Sequence, residues 1–177
     1  MLRRAWKSLS VAAAVAALVV APSASGAHKT QSMSYTTLER GVLAQINAFR
    51  RSHGLSALRL SSKLSAAAVQ HTAEMARDGY FAHESADGSS FDKRLRRYYP
   101  MSGCGYWSVG ENLLWSSPDV SAPQALQVWL NSAPHRENLM TPRWRKIGIA
   151  AVHVPSAGGS YGGMPVTIIT TDFGVCR

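Results

Sequence analysis

His83, Glu111 and His135 are the residues of this 177-residue chain whose types could do chemistry together. Each sits among apolar or aromatic neighbours: "YFAHES" holds His83, "SVGENLLW" holds Glu111 and "NSAPHREN" holds His135. Two imidazoles and a carboxylate suit direct coordination of a divalent cation such as zinc, with water in the open position. The same three could instead exchange protons as general acid and base. Glu111 poses a physical question of its own, because an unpaired carboxylate among aliphatic residues is costly to bury. No fixed-spacing motif accompanies the trio. His83-Glu84 is followed by Ser85 and Ala86, with Asp87 where a second histidine of HExxH would stand. There is no GxSxG elbow and no P-loop, and no Ser or Cys nucleophile stands out.

The elements that must position these residues follow from periodicity. Thr36 and Glu39 have capping-box spacing, and Leu38, Val42, Ile46 and Phe49 recur at helical intervals up to Gly54. A second helix starts near Ser61 or Ser62 and ends at Gly79, with Leu64, Ala68, His71 and Met75 on its inner face. On that face His71 reads as a hydrogen-bonded core histidine rather than a ligand. Residues 79–90 read as a loop, followed by a short basic helix over about 90–98. Pro123 suits the first turn of a helix carrying Leu126, Trp129 and Leu130, and Ser132 and Pro134 start another turn. "KIGIAAVHV" and "MPVTIITTDFG" read as two strands of an antiparallel hairpin. Helices first and strands last indicate an α+β fold.

Composition and termini bound the setting. Residues 1–27 combine Arg3, Arg4 and Lys7 with the apolar run Leu9–Ala21 and a small-x-small site at Ser25-Gly26-Ala27. They read as a signal peptide, which is excluded from the fold. Residues 28–34 read as a flexible lead-in and 35–177 as one domain. No later segment is apolar enough to span a membrane. The formal charge is +9, and the basic surplus survives removal of the leader. That balance is compatible with an anionic cell-envelope polymer or lipid as partner, or with solubility alone. The basic cluster Asp92–Tyr99 is too short to indicate nucleic acid. Cys104 and Cys176 are the two cysteines. In an oxidising compartment a pair of this kind forms a disulfide, two free thiols being the alternative.

Five segments, in order, resemble the CAP superfamily (cysteine-rich secretory, antigen 5 and pathogenesis-related proteins; the SCP domain), in its short bacterial secreted branch. They are "INAFRRSHGLSALRLSSKLSAAAVQHTAEMA", "YFAHESADG", "VGENLLW", "VWLNSAPHRENLMTPRWRKIGIA" and "TIITTDFG". The resemblance covers roughly residues 36–177. It implies an α-β-α sandwich, with a small antiparallel sheet of three or four strands between helical layers. It also implies a cleft gathering His83, Glu111 and His135, with Asn112 and Ser132 as supporting residues. Several members bind zinc or another divalent ion there. One departure stands out: Trp129 is followed by Leu130, Asn131 and Ser132, where fuller members carry a second glutamate. Any cation would therefore be weakly held.

Three functions fit these residues. The favoured one is a secreted, monomeric binding module for a metal or small ligand, with lipid or cell-envelope glycan as further possibilities. A metal-dependent hydrolase of peptide, ester or cell-wall bonds, with Glu111 as candidate catalytic residue, is the second. In the third, the trio only pins loops to the sheet. Asn131 and Asp172 have no assigned role in the motifs.

Overall fold

The structure, a computed structural model, describes residues 36–177. The leader over 1–27 and the lead-in over 28–34 lie outside the described residues. Helix α1 (Thr37–Ser52) starts on a capping box: Glu39 N–H donates to Thr36 Oγ1 (3.2 Å), and Thr36 N–H donates to Glu39 Oε2 (2.6 Å). Strand β1 (Arg59–Leu60) follows, then α2 (Ser62–Asp78) and α3 (Phe91–Tyr98). Strand β2 (Trp107–Ser116) precedes α4 (Ala122–Leu130) and α5 (Ala133–Met140). Strands β3 (Lys146–Val154) and β4 (Val166–Cys176) close the domain.

The sheet order is β1-β3-β4-β2. Strand β4 pairs antiparallel with β3, which is the expected hairpin, and on its other side with β2. The sheet is mixed rather than wholly antiparallel, because β1 pairs parallel with β3 through Arg59–Lys146 and Leu60–Ile147. Two residues carry no periodicity, so this strand leaves no trace in the sequence.

Helices α1, α4 and α5 cover one face of the sheet, where Val42, Ile46, Trp129, Ile147, Ile169 and Phe173 form the main core. Helices α2 and α3 cover the other face. Helix α2 lies close against β3: a methyl at Gly148 would fall 2.1 Å from the Leu64 carbonyl carbon. Only glycine permits that approach, which sets the height of α2 above the sheet. At its other end Gly79 (φ 70°) takes the left-handed conformation that ends α2 and releases the 79–90 loop toward β2. The result is the α-β-α sandwich that the resemblance implies. Cys104 and Cys176 form a disulfide that ties the segment before β2 to the end of β4.

Candidate functional site

Glu111 lies on the α2/α3 face of β2 and is 6% exposed. Both of its oxygens are engaged. Oε1 lies 2.8 Å from His83 Nδ1. Oε2 accepts a short hydrogen bond from Arg94 Nη2. Arg94, on α3, is 1% exposed. Its Nη1 also donates to the His83 carbonyl (3.0 Å) and to Ser85 Oγ (2.9 Å). One guanidinium thus neutralises the carboxylate and holds the loop that carries His83. His71 pins the same loop from α2, its Nε2 lying 2.9 Å from the Ala82 carbonyl. It is a buried, hydrogen-bonded core histidine.

The carboxylate fixes the His83 tautomer: Nδ1–H donates to Glu111 and Nε2 turns to the half-exposed side. On the other side of β2, Asn112 Nδ2 donates to the His135 carbonyl (3.1 Å) and so holds the first turn of α5. Asn138, one turn after His135, donates to the Glu111 carbonyl (3.1 Å) and to Asn112 Oδ1 (3.0 Å). Asn112 is therefore a structural partner, as its position in the motif implies. Ser132 occupies the N-cap of α5, and its side chain makes no capping hydrogen bond.

The titratable groups around β2 are shifted in different directions. Burial alone would push Glu111 up, but the His83 hydrogen bond and the Arg94 charge outweigh it and leave its pKa lowered. His83 is raised, chiefly by the hydrogen bond to Glu111. His135 is lowered, by burial first and then by the positive charge of His83. The two imidazoles are thus shifted in opposite directions. His135 Nδ1 is buried without a hydrogen-bond partner among the described residues.

Two further residues complete the arrangement. Arg94 falls in the short basic helix, where Phe91, Arg94, Leu95 and Tyr98 recur at helical spacing on one stripe. That stripe was the signal for a buried cation. Asp172 is directly opposite Glu111 in the β2–β4 register and is fully buried. Neither of its oxygens meets a donor among the described residues. Its pKa is raised well above the usual range, by burial first and then by the negative charge of Glu111. Asp172 therefore keeps its proton, which can be donated toward Glu111.

Below the unfolded-state pKa of Asp172 both folded and unfolded states hold that proton, and the residue contributes nothing to pH dependence. Above it only the folded state does, so stability is lost progressively as pH rises toward the folded-state pKa. Asp172→Asn removes this loss. Relative to the parent, the variant is expected to gain stability between pH 4 and pH 8, read from urea midpoints at both. A difference that is the same at both pH values would contradict a protonated Asp172.

The donor set does not fit a zinc centre with three protein ligands. Glu111 has given one oxygen to His83 and the other to a buried cation. That leaves only the two imidazoles of the trio uncommitted to a charged partner of this kind, and no group of three or more His, Cys, Asp or Glu is placed to hold an ion among the described residues.

The family model of the cysteine-rich secretory protein (CAP) family matches residues 43–173. YkwD of Bacillus subtilis is 30% identical over 120 residues, covering 67% of this chain and 44% of that protein. The Bacillus subtilis membrane protein YlbC is 30% identical over 114 residues, covering 64% of this chain and 31% of that protein. The chain thus spans less than half the length of these curated relatives. Among solved structures, an extracellular SCP-domain protein of Bacillus anthracis superposes with a TM-score of 0.55 at 28% identity, over 80% of this chain and 44% of that one. An outer surface protein of Borrelia burgdorferi superposes with a TM-score of 0.63 at 16% identity, over 82% and 97%, and shows a shared fold. The motif order, the three-layer fold and these matches agree: the chain belongs to the cysteine-rich secretory protein (CAP) family.

Proposed function

We propose that this chain is an exported binding module whose cleft at His83, Glu111 and His135 takes a small polar ligand. One observation carries the reading: His135 Nδ1 is buried without a partner among the described residues, on a ring that the charge of His83 reaches. A polar atom left unpaired in an ordered site favours a ligand that supplies its partner. The opposed shifts of the two imidazoles define that ligand, with an acceptor facing His83 and a donor facing His135. Glu111 is the anchor of the site rather than its base, since both oxygens are bound. Holding a loop, a helix and a strand together is its structural work, which binding does not exclude.

The apolar leader, the disulfide and the extracellular description of the Bacillus anthracis neighbour support export. No helix among the described residues is long and apolar enough to cross a membrane. The basic surplus supports an anionic polymer or lipid of the cell envelope as a surface partner. A weakly held divalent cation on the two imidazoles is the second reading, favoured by the same unpartnered nitrogen.

Both readings are tested by following the two imidazoles in NMR spectra. The titrants are zinc chloride and a panel of sugar, amino-acid and carboxylate probes. At least one titrant is expected to move His83 and His135 together, and the shift is expected to vanish in a folded His83→Ala/His135→Ala variant. A panel that moves neither ring contradicts binding at the cleft. Movement with zinc alone selects the cation.

A further inference from the structure

Strand β2 forms one edge of the sheet, and that edge is closed in one half and open in the other. Tyr106 and Arg177 exchange two backbone hydrogen bonds (2.7 and 3.1 Å). Even-numbered residues of β2 therefore bond to β4, and odd-numbered ones turn their N–H and C=O groups outward. The outward carbonyls of Glu111 and Leu113 are taken by Asn138 Nδ2 (3.1 Å) and by Trp129 Nε1 (3.0 Å). No side chain among the described residues gives Val109 a comparable cap. It faces a cavity of about 240 Å³ together with Ser108, Gly110, Pro134, Asn138 and Arg143.

Such an edge is a template for another extended backbone. Charge narrows the occupant. The Arg143 guanidinium lies 5.4 Å from the centroid of the Trp144 ring and has no carboxylate within ion-pair distance among the described residues. Glu137, the acidic wall residue, makes no ion pair with it. A stacked, unpaired guanidinium is suited to a carboxylate. The open edge also leads toward Glu111, which lies two residues along β2, about 7 Å away at strand spacing. There the Asn138 cap on the Glu111 carbonyl stops the ladder, so an added chain must leave the edge at Glu111, whose side chain holds His83.

We propose that the open Val109 edge docks an extended peptide with a free C-terminal carboxylate, its backbone paired with Val109 and its carboxylate with Arg143. The inference rests on the reading of the cleft as a binding site and names the chemical class that would reach it.

The test uses acetyl-Ala-Val-Thr-Val with a free carboxylate, titrated into the mature protein and followed by NMR and amide exchange. Exchange of the Val109 amide is expected to slow by about tenfold at saturation. Amidating the peptide terminus, or changing Arg143→Gln, is expected to weaken affinity about tenfold each, the scale of one charge-assisted hydrogen bond. Methylating alternate backbone nitrogens of the peptide should abolish binding. Arg143 is exposed, so its variant keeps the fold. Equal binding by the methylated peptide, or no binding at millimolar concentration, overturns the proposal. Imidazole shifts at His83 and His135 without Val109 protection also overturn it, while the cleft reading stands. Val109 protection without imidazole shifts supports edge docking and counts against the cleft.

Discussion

Arg94→Ala is expected to destabilise the domain by roughly 3–5 kcal/mol, the range for removing one partner of a buried ion pair. The cause is on the carboxylate side. Glu111 and Arg94 are both almost wholly buried, and Arg94 supplies the full positive charge against Glu111 that water cannot. Without it, Glu111 keeps a single neutralising contact, to His83, and faces the buried Asp172 carboxyl across the strand pair. The His83 carbonyl and Ser85 hydroxyl lose their donor too, so the loop carrying His83 loosens. For a domain of this length the melting temperature should fall by roughly 6–20 °C. The double variant Arg94→Met/Glu111→Gln removes both charges and should recover much of the loss, because a buried pair costs most when half of it is left. An Arg94→Ala protein that melts with the parent would place Glu111 in water rather than in the sheet.

Cutting the Cys104–Cys176 link is the other large effect. The bridge closes a loop of 72 residues. Loop-closure entropy then assigns it about 4 kcal/mol of stabilisation, exerted through the unfolded chain. The Cys104→Ser/Cys176→Ser variant should lose about this much in denaturant midpoint measurements. The same loss should follow treatment of the parent with a reductant. The secondary consequence is local. Trp107 pairs with Cys176 at the start of β2, and Tyr106 with Arg177 just before it, so this end of the strand should exchange its amides first. A variant as stable as the parent would show that strand pairing alone fixes the terminus.

The sequence carries α1 and α2 well because their ends are punctuated. Thr36, Ser61 and Gly79 act at the boundaries where their side chains, or the lack of one, are needed. Strands β3 and β4 were legible from β-branched runs. Strand β4 is displaced, Val166–Cys176 against an expected 164–174, because a strand buried on both faces has no alternation to mark its ends. The candidate site was legible from the residues only as a set of types, which the family resemblance grouped. His83 and Glu111 do meet, but their spacing of 28 residues encodes no contact. Arg94 was hidden because arginine is read as a surface residue, although its helical stripe is apolar. Asp172 was hidden because its partner is set by strand register, which single-strand patterns do not reveal. Asn138 shares a helix face with His135, and its link to Glu111 needs the β2 edge to be known.

Glu111, held by Arg94, raises the His83 pKa, while burial and then the His83 charge lower that of His135. Imidazole chemical shifts of the two histidines, followed by NMR from pH 4 to pH 9, test it most directly. The account predicts that His83 titrates above the ordinary histidine value near 6.5 and His135 below it. The linkage has opposite signs. The His83 contribution to stability is complete below its unfolded value and is lost as pH rises through its folded one. The His135 contribution is present above the unfolded value and is lost as pH falls through the folded one. In Glu111→Gln the His83 midpoint should drop and the separation should narrow. Two histidines that titrate together near 6.5, unchanged by Glu111→Gln, would contradict the account.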